Sequence, residues 1–401
     1  MKKIKVGILI GEFFDGDLPI YNAKGGYGIL ARKYIAEHVP CEDIEIETII
    51  GLHPDATEVQ TVMVDGRKPV VYLPAKAAMP QGYLARLIYL LWPGYFRNLV
   101  WQKKLNEYDV FLSIEMMGIA QRVMRHASKQ TLIYYAQDPR PKSDWEEIDS
   151  HELTRASEGG RPKARIAKLM NKLFASGRLV AITQARYLVD KAIDLYELPA
   201  SFTASYIPNP VEFEAQPQDS FLQKENKVLF LGRLDAVKRP WLFAEIAKQM
   251  PDFEFYMAGQ SHEPAMRSLM EGYKGIKNLH FLGHVEGEQK AQLLKQCKYL
   301  VNTSIHEALP VSFLEAMSYG CLIVSNRDPD SLASKFGRAV PQANGDGKES
   351  IPLFIKSIRD LESEPHTALE LSKAAINYVG NVHDLVSFKV SMREIIRCAV
   401  R

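Results

Sequence analysis

A chain of 401 residues is longer than the roughly 250–300 at which a single hydrophobic core stops growing, so two domains are expected. Its 46% hydrophobic and 24% charged residues are those of an ordinary globular protein, and a formal net charge of +2 excludes a bulk attraction for nucleic acid. The four cysteines, Cys41, Cys297, Cys321 and Cys398, form no CxxC pair, and the apolar residues 6–10 are too short a stretch for a signal peptide. No run approaches the roughly 18 apolar residues of a membrane span. A reducing cytoplasmic compartment is the expectation, with attachment at the inner face of the membrane as a variant of it.

In chain order, residues 3–10 form a short β-branched apolar run and lead through a long loop into a helix starting near Tyr27. Buried-strand candidates follow at 45–50, 70–73, 110–113, 131–135 and 179–182, with helical segments between several of them. Such alternation implies a parallel sheet covered by helices. At Ile207-Pro208-Asn209-Pro210 two prolines bracket an asparagine and a polar stretch follows, which is the best domain boundary. The alternation then restarts with strands at 228–231, 253–258, 279–282, 299–302 and 322–324. The expected units are 1–206, 207–383 and a C-terminal helix, 384–401, packing back on the first. The fold class is α/β, with two doubly wound Rossmann-like domains facing a cleft.

In open α/β sheets ligands bind beyond the carboxyl ends of the strands, so the loops after strands carry the chemistry. After the strand ending at Leu231 comes Gly232-Arg233-Leu234-Asp235-Ala236-Val237-Lys238-Arg239, a glycine with two or three cations that suits a diphosphate. A solvated basic loop is the plainer reading of that segment taken alone. After the strand 299–302 comes Ser304-Ile305-His306-Glu307-Ala308-Leu309-Pro310, with Pro310 in the first turn of a helix that holds Glu315. The amides of Ala308, Leu309 and that first turn favour an anion. Two carboxylates beside a phosphate repel it unless each binds hydroxyls, and sugar and ribose hydroxyls are the obvious donors.

The Glu-x7-Glu segment, the upstream Gly-Arg-x4-Lys and the early Gly25-Gly26 loop resemble, in order and spacing across nearly the whole chain, the family-4 group of retaining GT-B glycosyltransferases. The resemblance implies that Glu307 contacts the donor sugar near the reacting centre and Glu315 holds the ribose. It likewise assigns Arg233 and Lys238 to the donor diphosphate, with Glu307, Arg233 and Lys238 forming the catalytic set. Gly232, His284, Val285, Ala308 and Leu309 join Glu315 in binding the donor. In the first domain it assigns Gly25 and Gly26, at the start of a helix, to an acceptor or phosphate loop, together with Gln137 and Asp138.

Two departures from the family pattern stand out. Gln137 occupies the place where many members carry a histidine, and a glutamine amide holds a hydroxyl but takes no proton. Ala308 and Pro310 stand where many relatives have glycines, and Pro310 has no amide to give.

Other motifs carry less. Asp15-Gly16-Asp17 has the Asp-x-Asp form of metal-dependent transferases but falls too early, in a glycine-containing turn, so no metal and no cofactor is expected. His151-Glu152, His262-Glu263 and His306-Glu307 have Arg155, Met266 and Pro310 where a second zinc ligand belongs. Residues 81–104 combine aromatic and leucine side chains with Arg86, Arg97, Lys103 and Lys104 and no acid, and residues 161–178 add six more cations. Both segments either pack on the first sheet or lie on an anionic bilayer. The expected function is retaining transfer of a hexose-type sugar from a nucleotide diphosphate sugar to a glycan or lipid-linked acceptor, in cell-surface polysaccharide or glycoconjugate assembly. A nucleotide-sugar epimerase and a non-catalytic partner subunit are the alternatives.

Overall fold

The computed structural model describes residues 3–11, 26–64, 68–116, 118–153, 164–212, 214, 216–217 and 220–400. Contacts divide them into two units. The first takes the described residues of Met1–Pro139, Arg161–Asn209 and Leu385–Arg401, and the second those of Arg140–Gly160 and Pro210–Asp384. Residues 140–153 lie by chain order inside the expected first domain, yet by contact they belong to the second unit. Helix Lys142–Ser150 is held there by Arg327, whose Nη1 sits 2.6 Å from Glu147 Oε1, and His151 Nε2 meets Gln342 at 2.8 Å.

The first unit is built on eight strands: β1 (Ile4–Leu9), β2 (Ile44–His53), β3 (Gln60–Val64), β4 (Lys68–Pro74), β5 (Val110–Ile114), β6 (Thr131–Ala136), β7 (Leu179–Thr183) and β8 (Ser205–Tyr206). Their spatial order is β3-β4-β2-β1-β5-β6-β7-β8, and every pair is parallel except β3 with β4. Side chains alternate between the two faces of a strand. Accordingly Val6, Ile8 and Ile10 join a core with Leu30, Ile35, Met392 and Ile396. Leu9 and Phe111 point the other way, into a core with Trp101, Val123, Met170 and Leu173. The C-terminal helix Leu385–Val400 thus covers one face of this sheet, and Arg397 fastens it through a paired contact with Asp43 at 2.8 and 2.9 Å.

The second unit has six parallel strands: β9 (Glu225–Leu231), β10 (Glu254–Ala258), β11 (Leu279–Gly283), β12 (Cys297–Asn302), β13 (Leu322–Ser325) and β14 (Gly337–Ala339), in the order β11-β10-β9-β12-β13-β14. Leu229 of β9 lies between Tyr256 of β10 and Leu300 of β12. Buried Phe243, Phe255, Tyr299, Phe354 and Ile358 fill the core over this sheet. Both units are therefore doubly wound α/β layers.

Candidate functional site

In the second unit the chain leaves β9 towards β10 and β11 on one side and resumes with β12 on the other, so the strand order reverses between β9 and β12. That reversal separates the two following loops and leaves room for a ligand beyond the strand ends. Lys238, from the loop after β9, and Glu307, from the loop after β12, meet there, with Nζ 2.6 Å from Oε1. Ser304 Oγ and Asn302 Nδ2 donate to the same oxygen at 2.7 and 2.9 Å. All three donors share Oε1, and Oε2 takes no hydrogen bond from the described residues. Burial alone would raise the Glu307 carboxyl, but the Lys238 charge and the three hydrogen bonds outweigh it and hold the group below the ordinary glutamate range. At neutral pH it is an anion with one oxygen committed and one open.

Backbone contacts fix this arrangement. Asp235 accepts the Lys238 amide at 3.0 Å and caps the short turn Ala236–Lys238. Ile305 N–H donates to the Val237 carbonyl at 2.7 Å, joining the two loops directly. Arg239, counted in the sequence among the cations of the strand end, is fully buried with φ +46°. Its guanidinium donates to the Thr303 and Ala343 carbonyls and to Asn326 Oδ1, at 2.8, 3.0 and 3.0 Å, and burial pushes it down to about 10. Arg239 is a brace under the loops and offers nothing to an incoming phosphate. Arg233 is the opposite case: its side chain is 73% exposed and reaches Asp235 at 3.3 Å, outside the Lys238–Glu307 cluster.

Gly232 donates its amide to the Ala258 carbonyl at 3.1 Å. Directly above, a Cβ on Gly259 (φ +157°) would fall 1.8 Å from the Gly232 carbonyl oxygen, so only glycine lets these two strand ends approach. Beside them opens a groove of about 400 Å³ lined by Leu234, Gln260, Arg267, Phe281 and Gly283. His284 is exposed, with Nε2 3.3 Å from Glu286 Oε2, and Val285 is buried. Glu315 lies within helix Val311–Ser318 and pairs with Lys290 at 2.6 Å. Pro310 stands one residue before that helix, its carbonyl taking the Phe313 amide at 3.0 Å, where the sequence reading had it inside the first turn. Leu309 is buried and Ala308 half-buried beside Glu307.

The first unit reverses its strand order between β1 and β5. Gly25 and Asp15-Gly16-Asp17 lie outside the described residues. Gly26, exposed, opens the helical turn Gly26–Ile29, which runs on as a π-helix over Leu30–Ala36. Gln137 is buried and exchanges hydrogen bonds with the Asn209 amide at 3.0 and 2.7 Å, so its side chain serves an internal network. Asp138 is half-buried beside it.

The residue that sequence reasoning passed over here is Glu115, just after β5. Its φ is +58°, its Oε1 accepts the amides of Gln137 and Asp138 at 2.7 and 2.8 Å, and its Oε2 accepts the Tyr134 hydroxyl at 2.9 Å. Burial outweighs these donors and pushes the carboxyl up to about 7. Its one sequence signal is an acid directly following a largely apolar strand, Val110–Ile114.

The family profile of the glycosyl transferases group 1 matches residues 212–378, which include the Lys238, Glu307 and Glu315 positions. A Campylobacter jejuni protein, GalNAc-alpha-(1->4)-GalNAc-alpha-(1->3)-diNAcBac-PP-undecaprenol alpha-1,4-N-acetyl-D-galactosaminyltransferase, is 34% identical over 129 residues, covering 29% of this chain and 34% of the relative. The Escherichia coli O-antigen biosynthesis glycosyltransferase WbnH is 31% identical over 100 residues, covering 25% of this chain and 28% of the relative. The chain thus spans about a third or less of the curated relatives it matches. The crystal structure of Anabaena HepE in complex with UDP and glucose superposes with a TM-score of 0.65 at 13% identity, over 98% of this chain and 99% of that one. Residues 212–378 thus match the glycosyl transferases group 1 family, and the fold of the chain is GT-B.

Proposed function

We propose that this chain is a retaining, metal-independent glycosyltransferase of the family-4 type. It moves a hexose-type sugar from a nucleotide diphosphate sugar to a glycan or lipid-linked acceptor in cell-surface polysaccharide or glycoconjugate assembly, working at the inner face of the membrane. The observation that carries the reading is the meeting of Lys238 and Glu307 at the β9/β12 reversal, with Glu307 Oε2 open. A donor diphosphate competes for Lys238, and Ser304 and Asn302 keep Glu307 oriented when that cation turns to phosphate. Lys238, joined by the exposed Arg233, neutralises the charge that grows on the diphosphate as the anomeric C–O bond breaks. The acceptor oxygen bonds the anomeric carbon from the face being vacated, and the acceptor proton passes to the departing phosphate oxygen. That route needs no histidine at position 137. Glu307 Oε2 takes a sugar hydroxyl, and Glu315 exchanges Lys290 for the ribose.

The names of the relatives support the acceptor class: one carries an undecaprenol diphosphate in its name, the other O-antigen biosynthesis. Incubation with a panel of radiolabelled nucleotide sugars and a membrane extract tests the proposal. Label moving into glycan or lipid extract with release of nucleoside diphosphate is the expected result. Conversion of the free nucleotide sugar into an isomer would instead make the chain an epimerase.

A further inference from the structure

Three helices lie along one face of the first unit's sheet, packed side by side over the core that holds Trp101, Val123, Met170 and Leu173. These helices, Pro93–Leu105, Gly118–His126 and Ala164–Ala175, continue from a fourth, Tyr83–Leu91, joined to the first at Trp92. Across 83–105, 118–126 and 164–175 the sequence holds nine lysines and arginines and no aspartate or glutamate. The charges also crowd in space: besides burial, the Arg97 and Arg125 guanidiniums hold His126 below its usual range.

The apolar residues of these helices divide sharply. In Ala164–Ala175, Ala167, Met170 and Leu173 are buried, so its apolar stripe serves the core, and Arg165, Lys168 and Lys172 face out. Trp101 is likewise buried and donates Nε1–H to the Pro74 carbonyl at 3.0 Å, and Lys104 is taken by Glu47 and Glu107 at 3.0 and 2.8 Å. Tyr83–Leu91 behaves differently. Its apolar side chains Tyr83, Leu84, Leu87, Leu90 and Leu91 recur at helical spacing, the stripe that normally turns inward, yet they are 85, 70, 43, 70 and 61% exposed. Trp92 and Tyr95, at the joint, are 64 and 53% exposed.

We infer that the exposed stripe of Tyr83–Leu91, with Trp92 and Tyr95, inserts into the surface of an anionic bilayer while the acid-free helices beside it hold the lipid headgroups. The charge decides for this occupant over another copy of the chain. A second copy would bring the same acid-free, cationic layer against this one, and like charges repel. A phosphate-bearing surface complements it, and exposed leucines flanked by Trp and Tyr suit the boundary between headgroup and acyl chain. This extends the peripheral placement proposed above to a defined surface. Vesicle binding requires no sugar transfer, so its failure removes the inner-face placement and leaves the transfer reading standing, and failure of transfer leaves the membrane surface standing.

The test is co-sedimentation of the full chain with phosphatidylcholine vesicles carrying phosphatidylglycerol, and with phosphatidylcholine alone. The chain should partition onto the anionic vesicles, release in high salt, and shift its Trp emission to the blue, a shift that Trp92→Phe removes. Leu84→Ser with Leu87→Ser should weaken partitioning by about a hundredfold, since each exposed leucine buried in the boundary contributes on the order of a tenfold gain. Arg86→Ser with Lys103→Ser should weaken it on anionic vesicles alone. Unchanged melting temperatures, expected for exposed sites, show that the variants fold. Equal binding by parent and leucine variant overturns the inference, as does a parent that ignores vesicles but forms a dimer that the leucine substitutions dissociate.

Discussion

Lys238 Nζ and Glu307 Oε1 stand 2.6 Å apart across the point where the second unit's strand order reverses, joining the loop after β9 to the loop after β12. The carboxylate is 9% exposed and the ammonium 20%, so the pair is largely removed from water and its loss is asymmetric. Lys238→Met leaves a buried carboxylate with two neutral donors and should destabilise the second unit by about 1–3 kcal/mol. Adding Glu307→Gln removes the stranded charge and should restore most of that loss, while transfer stays abolished in both variants. Urea unfolding of the two single variants and the double gives the coupling.

Glu115 gives the first unit a pH dependence of definite sign. Its folded value is raised from the ordinary 4.5 to about 7. The stability of its neutral form is therefore fully present below pH 4.5 and is lost as pH rises through about 7. Glu115→Gln keeps an acceptor for the Gln137 and Asp138 amides but does not ionise. Relative to this variant, the parent should lose on the order of 3 kcal/mol between pH 4.5 and 8. Parallel unfolding curves at those pH values check it, and identical pH profiles would show that Glu115 titrates as an ordinary glutamate.

Gly259→Ala tests the close approach of β9 and β10. Its Cβ would meet the Gly232 carbonyl oxygen at 1.8 Å in a backbone conformation that disfavours side chains. The expected cost is about 2–4 kcal/mol of stability with weakened nucleoside diphosphate binding, because Gly232 begins the loop that carries Lys238. Calorimetry with UDP and GDP reads the binding, and thermal unfolding reads the stability.

Transfer should survive EDTA, since the proposal gives the diphosphate charge to Lys238 and Arg233. Loss of activity on chelation with rescue by Mg²⁺ or Mn²⁺ would take that role from them.

The inner strands were legible because strands buried on both faces of a parallel sheet read as unbroken apolar runs. β3 was not, since four of its five residues are exposed and its partner, β4, holds it by antiparallel backbone bonds that leave no apolar signature. The two-residue β8 and three-residue β14 are too short to show a pattern. That Lys238 and Glu307 stand in loops after strands and Glu315 in the following helix was legible through the spacing that a strand–loop–helix unit imposes, whereas their roles came only from the family resemblance. The pairing of Lys238 with Glu307 was not legible, because it depends on β9 and β12 becoming neighbours across the 65 residues between Leu231 and Cys297. Arg239 and Lys238 are adjacent cations in sequence, and only the left-handed backbone at Arg239 turns one inward and leaves the other at the strand end. For the helix Tyr83–Leu91, periodicity gives the stripe but not the side of the molecule it faces.

The most direct measurement compares Glu307→Ala with Glu315→Ala in steady-state kinetics, with nucleoside diphosphate affinity from calorimetry. A contact that tightens as the sugar gains positive charge acts in the transition state, whereas a ribose contact acts equally before and during the reaction. Glu307→Ala should therefore lower kcat by about a hundredfold or more with nearly normal diphosphate affinity. Glu315→Ala should weaken binding by about 1–3 kcal/mol with kcat little changed. A folded Glu307→Ala protein that turns over at close to the parental rate would contradict the account and leave the chain a sugar-nucleotide-binding partner whose chemistry lies elsewhere.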